Sequence, residues 1–301
     1  MKLKILLSTV VITLSASGAW AAGAGTTGAS FLKVGVGARP LAMGSAGSAV
    51  ETDANAVNWN PGLLGNIKER SVSASYNMLF IDESQGFVGY AAPIEGGSAW
   101  GVGVNYLTVA DIEKRLGDTD NPDSRFSNNN TAVSFSYARS EIRPGLSLGA
   151  SFKYIQQKLD THSDKAMAMD LGAAYKVNSD WTAGFAVQNL GSKIGPDKLP
   201  LTFKGGAAVK LLDGKLLAAA DLDWLANDER MYLDLGGEYA LGKYVAFRAG
   251  YQLGRSQDKL GGLTGFAAGL GAKYEKYSFD YAYVPFGDLG STHRMTVGYR
   301  F

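Results

Sequence analysis

The 301-residue chain contains no cysteine. Disulfides, thiolate metal sites and cysteine nucleophiles are therefore excluded. Histidine is almost absent, with only His162 and His293. Ser163 follows His162 directly, but neighbours in sequence on a loop seldom form a catalytic pair. Asp118, Asp120 and Asp123 share one polar stretch, and a solvated acidic loop explains them better than a calcium site. No enzymatic activity, metal or cofactor is expected. The formal net charge is +1, so the cationic excess that nucleic-acid binding requires is missing. After the first residues no window of 18 apolar residues exists, which excludes a helical membrane protein.

The first stretch reads as an export signal. Lys2 and Lys4 precede an apolar run from Ile5 to Leu14, and Ala19-Trp20-Ala21 supplies small residues at the two positions a signal peptidase reads. The run is too short for a spanning helix, which needs about 20 residues. Residues 1–21 are expected to be removed, which shifts the net charge to −1. Residues 22–66 then form a Gly-, Ala- and Asn-rich segment without sustained alternation, and residues 67–301 form the main domain.

That main domain alternates with a period of two. Val72, Ala74, Tyr76, Met78 and Phe80 interleave with Ser71, Ser73, Ser75 and Asn77, giving one apolar and one polar strand face. Similar runs recur up to Met295, Val297, Tyr299 and Phe301. About fourteen strands of roughly 9 to 14 residues result, near the length a tilted strand needs to cross a bilayer. Tight turns at Glu95-Gly96-Gly97, Asn178-Ser179-Asp180, Asp213-Gly214-Lys215, Leu241-Gly242-Lys243 and Glu275-Lys276 alternate strictly with longer connections. These are expected at 110–126, 159–165, 191–200, 255–262 and 285–290. In an antiparallel meander this puts all tight turns on one rim, as in outer-membrane barrels.

A soluble β-sandwich also alternates, but its strands are shorter, with a mode of about 5 to 6 residues. The polar face here is crowded with glycine, including Gly149, Gly172, Gly236, Gly269 and Gly271, which suits a filled lumen better than a wet surface. The expected fold is therefore all-β: a transmembrane antiparallel barrel of about 14 strands, integral to the outer membrane and in contact with its lipid. Its final Phe301 fits the C-terminal signal by which such barrels are recognised for insertion. By the alternation Asp170, Asp234, Arg248, Asp280 and Arg294 face the lumen, where structural ion pairing is the expected role. Asp280 and Arg294 lie on adjacent final strands and could pair.

Residues 30–44 (SFLKVGVGARPLAMG), followed by Trp59-Asn60-Pro61, resemble the N-terminal signature of the PorV/PorQ family, part of a wider FadL-like group. Gln188-Asn189-Leu190-Gly191, Leu199-Pro200-Leu201, and the stretch from Pro285 to Arg294 closing on Tyr299-Arg300-Phe301 are similar to the same family. Gly62 stands where that family usually has Ala, and Ser45 and Gly47 also depart from its pattern. The resemblance implies a 14-stranded barrel with the N-terminal segment inside as a plug, its motif carried by Arg39, Pro40, Met43, Asn60 and Pro61. It also implies one of two roles. One is binding of exported proteins or a secretion translocon; the other is uptake of a hydrophobic ligand. Phe80, Ile81, Leu107, Ile112 and Leu116 are the expected apolar residues near the outer rim.

Overall fold

The structure is a computed structural model that describes residues 25–80, 82–255 and 261–301. The expected signal at residues 1–21 lies outside the described residues, as does Ile81. Fourteen strands form the wall. The first seven are β1 (Ser71–Met78), β2 (Glu83–Ile94), β3 (Ser98–Lys114), β4 (Ser124–Arg143), β5 (Leu146–Leu159), β6 (His162–Lys176) and β7 (Trp181–Gly191). The rest are β8 (Thr202–Leu211), β9 (Leu216–Leu225), β10 (Arg230–Leu241), β11 (Val245–Leu253), β12 (Phe266–Tyr274), β13 (Tyr277–Pro285) and β14 (Ser291–Arg300). Each pairs antiparallel with its sequence neighbours, and β1 closes on β14 from Ser71↔Arg300 to Met78↔His293. Closure leaves no unpaired sheet edge, the condition for crossing a hydrocarbon layer with strands.

The alternation is inverted relative to a soluble protein. Ser71, Ser73, Ser75 and Asn77 are buried, whereas Tyr76 and Met78 on the same strand are exposed. Phe135, Phe152, Phe185, Leu222 and Phe279 likewise point outward, each close to half exposed. An apolar band of this size around a whole molecule is unfavourable in water and satisfied by lipid.

Two connections differ from the sequence expectation. Nearly half of the 110–126 stretch is strand: β3 and β4 continue as a two-stranded ribbon beyond their other neighbours, leaving residues 115–123 as its loop. Cross-strand contacts between Glu113 and Arg125 support the ribbon in solvent. The expected loop at 159–165 is a two-residue turn, Asp160-Thr161, with Asp160 at φ 54°. The long-loop rim therefore contains a tight turn, and strict alternation of lengths does not hold. Polar composition is a poor guide here, since solvated β-ribbon and loop use the same residues. A tight turn at Pro144-Gly145 joins the five expected ones on the other rim.

Residues 25–66 run down the inside of the wall. Residues 27–29 bond to groups near the long-loop rim: Thr27 donates to Asp228 at 2.9 Å, and the Ala29 N–H donates to Gln157 at 3.1 Å. Helices α1 (Ala38–Ala42) and α2 (Ala56–Trp59) follow, then a 3-10 turn at Pro61–Asn66, before the chain enters β1 at the tight-turn rim. Helix α1 packs on β11–β14, and the 3-10 turn packs on β2–β7. Val57, Leu63, Leu64 and Ile67 bury themselves against Ala91, Ala99, Ala138 and Ala174 of the wall. Small wall residues make room for the segment.

Candidate functional site

Glycine pairs mark where the segment meets the wall. Gly236 and Gly250 face each other across β10 and β11. A Cβ on Gly250 would lie 2.1 Å from the Gly44 nitrogen, and one on Gly236 would lie 2.3 Å from the Met43 carbonyl oxygen. Gly44 itself has φ 67°, a conformation glycine adopts freely. Gly149 and Gly172 form a second pair across β5 and β6, against Asn60-Pro61-Gly62. Asn60 is fully buried and fully used. Its amide nitrogen donates to Ser48 O at 2.8 Å and Ala173 O at 3.0 Å, and its carbonyl oxygen accepts from Gly62 N at 2.9 Å. Met43, Asn60 and Pro61 thus sit at windows where the wall carries no side chain.

Arg39 joins segment to wall electrostatically. It makes a bidentate contact with Glu238 at 2.8 and 2.9 Å. Its Nη1 also lies 3.4 Å from Glu51. Glu238 accepts in turn from Arg248 at 2.6 Å, and Arg248 reaches Asp280 at 2.7 Å. Asp280 is therefore the partner of Arg248. The pairing open to Asp280 and Arg294 does not form, because the β13–β14 register sets Asp280 opposite Thr296 and Arg294 opposite Ala282. Alternation predicts which face a residue occupies, but register decides its partner. Asp170 is 2.6 Å from Lys153, and Asp234 accepts from Gln252 at 2.7 Å. All five lumen charges are buried.

Above the packed region lies a cavity of about 510 Å³, within the size range of ligand pockets. Leu41, Ser45, Asn58 and Trp59 of the segment contribute its floor. Leu79, Phe80 and Phe286 line its apolar side, with the Phe80 and Phe286 rings edge to face at 5.0 Å. Lys204, Asp223, Arg230, Arg255 and Arg294 supply charge. Lys204 pairs with Asp223 and lies 5.1 Å over the Trp59 ring.

The expected rim residues do not form one surface. Phe80 lines the cavity. Leu107 faces inward and is buried with Phe31 and Ile155. Ile112 is half-buried on the ribbon opposite Phe126, and Leu116, 83 % exposed, is at the ribbon's tip. Arg255, Phe286 and the Lys204–Asp223 pair were not singled out by sequence. Only the tertiary fold turns these separate positions toward one cavity. Of the histidines, His162 lies 3.0 Å from Asp164 while Ser163 bonds to Gln156, and His293 bonds to Tyr281.

No curated protein matches the sequence. Among solved structures, the Pseudomonas putida toluene transporter TodX superposes with a TM-score of 0.63 at 13% identity, covering 88% of this chain and 98% of that one. A Pseudomonas aeruginosa FadL homologue gives 0.62 at 13% identity, with 88% and 98% coverage. The CymD monoaromatic hydrocarbon channel gives 0.64 at 14% identity, with 89% and 98% coverage. These likenesses show a shared fold. The profile described as "Type IX secretion system protein PorV" matches residues 20–202, more than half of the chain. The chain accordingly belongs to the PorV family, as an integral outer-membrane β-barrel with a FadL-like fold.

Proposed function

We propose that this barrel serves protein secretion as a docking protein, binding exported proteins or a translocon partner at its outer rim. The observation that carries this reading is the match to the type IX secretion family across the lumenal segment and the first half of the wall. The architecture is in keeping with it. The lower lumen is filled and tied to the wall by Arg39, which supports reading the segment as a plug rather than part of a conduit. The β3–β4 ribbon extends past its neighbours and offers polar and apolar side chains to a partner, including the exposed Leu116.

The test replaces residues 115–123 with a two-residue turn and purifies tagged protein from its native outer membrane. Loss of stoichiometric co-purifying proteins, with heat-modifiable gel migration intact, supports docking by the ribbon. Purification of wild-type protein alone, carrying a bound apolar molecule, sinks the docking role. It would favour a second reading, uptake of hydrophobic small molecules, for which the Phe80–Phe286 pair in the cavity is the specific support.

A further inference from the structure

The outward face of the wall is uneven near the tight-turn rim. Phe247, Leu270, Tyr281 and Met295 are cross-strand neighbours in one row across β11–β14. Val245, Ala272, Phe279 and Val297 form the next row toward the rim. Ala272 is the smallest side chain of the eight, and a groove of about 540 Å³ opens over it. Val245 and Phe279 flank the groove, and Tyr244, Tyr274 and Tyr277 line its rim end. The rings there are mutually supported: Tyr244 lies 6.3 Å from Tyr274, and Tyr277 lies 4.9 Å from Tyr299. Tyrosines in this position mark the boundary between hydrocarbon and headgroups. Barrels of this kind keep their short turns on the periplasmic side, so the groove opens onto the leaflet that faces the periplasm.

The rim end of the groove carries positive charge. Lys243 stands in the turn between β10 and β11, and Lys276 in the turn between β12 and β13. Lys243 Nζ lies 4.7 Å over the Tyr244 ring, a contact that holds an ammonium beside the groove without a carboxylate. Neither lysine forms an ion pair among the described residues. Glu275 is the one acid in these two turns. Elsewhere on the same rim the balance differs: Glu95-Gly96-Gly97 and Asn178-Ser179-Asp180 carry an acid and no cation.

We propose that this groove is a site for one phospholipid with an anionic headgroup, taken from the periplasmic leaflet. An acyl chain lies over Ala272 between Val245 and Phe279, and the phosphate sits at Lys243 and Lys276. An apolar groove in a bilayer is filled by acyl chains whatever the headgroup. The two free cations at its end are what select a negative lipid, as basic clusters at a membrane surface do. The inference does not rest on the docking role proposed above, because the site lies outside the lumen and at the opposite rim from the β3–β4 ribbon.

Native mass spectrometry of the full barrel tests it. The protein is held in nanodiscs of equal phosphatidylglycerol and phosphatidylcholine with the same acyl chains, then exchanged into mild detergent. Wild-type protein is expected to retain one phosphatidylglycerol, at least about tenfold over phosphatidylcholine, the preference that two lysines at a headgroup give. Lys243→Gln with Lys276→Gln is expected to make the two lipids equal. Ala272→Trp fills the groove and is expected to abolish retention of both. Lys215→Gln, in a turn that does not border the groove, is expected to keep the wild-type preference. All variants are checked for heat-modifiable migration. Should Ala272→Trp fail to insert, the double lysine variant, altered only at exposed side chains, carries the test alone. Equal retention of the two lipids by wild type, or a preference that survives in the double lysine variant, would overturn the site. So would unchanged retention in a folded Ala272→Trp barrel. A stoichiometric protein held by wild type and lost with Ala272→Trp would overturn it too, and give this face to a protein partner.

Discussion

The two ends of the lumen use the same wall in opposite ways. At the tight-turn end the strands present glycine, alanine and serine, and the N-terminal segment comes into backbone contact with them at Gly236, Gly250, Gly149 and Gly172. At the other end the strands and loops present arginine, phenylalanine and leucine around a cavity. The difference teaches that side-chain volume on the inner face, more than strand number, sets where this barrel is solid and where it is hollow. Fourteen strands enclose more space than their own inward side chains fill; the segment fills one end and leaves the other accessible.

The largest expected effect comes from placing a side chain in a glycine window. Gly250→Leu puts atoms where the Gly44 backbone lies. Overpacking against backbone is expected to cost ~3 kcal/mol or more, at or beyond the top of the usual range. Gly237→Ala on the neighbouring strand β10 is the control, because its nearest neighbour, the Leu217 carbonyl oxygen, is 3.9 Å away. Thermal unfolding in detergent, followed by heat-modifiable migration, compares them. Equal midpoints would mean that the segment is not held at this window.

Next is the ion-pair chain. Arg39→Ala leaves Glu238 without its link to the segment and Glu51 without its ion-pair partner, and breaking a largely buried pair of this kind costs ~3–5 kcal/mol. Arg39→Ala with Glu238→Gln should recover part of the loss, since one fewer carboxylate then faces Arg39's place. A double-mutant cycle on unfolding midpoints measures this, and strict additivity would deny the coupling.

A smaller effect is expected at Asn60→Ala. It removes the donors to Ser48 and Ala173 and the acceptor for Gly62. About 1–3 kcal/mol should be lost, the penalty for leaving buried backbone groups unpaired. Hydrogen exchange at the Gly62 amide reports the same change locally, and protection as high as in wild type would contradict the assignment.

Least of all should change with Leu116→Asp at the ribbon tip, where the side chain is 83 % exposed. Surface changes of this kind stay within about 0.5 kcal/mol, so the unfolding midpoint should hold. A large shift would mean that the ribbon packs against the barrel instead of standing clear of it.

The wall was legible in the sequence because a strand's two faces alternate with a strict period of two. Ser71 to Met78 showed its polar and apolar sets directly, and a chain with serine inside and tyrosine outside is readable as a membrane barrel. The motif residues Arg39, Met43 and Asn60 were legible through family resemblance, though not their contacts. Partner choice was not legible. Asp280 meets Arg248 and not Arg294 because strand register, set by turns and bulges along the wall, decides cross-strand neighbours. The length of β3 and β4 was hidden because a solvated ribbon and a loop draw on the same polar residues.

By itself, then, the sequence determined the class, the strand number and the face that side chains within the strands take, since these depend on local periodicity and composition. Only the tertiary structure decided the ion-pair partners, the glycine windows and the gathering of Phe80, Arg255, Phe286 and Arg294 around one cavity. Those residues lie on three hairpins, more than two hundred positions apart at the extremes. Closing the sheet brings β1 beside β14, and no local pattern carries that distance.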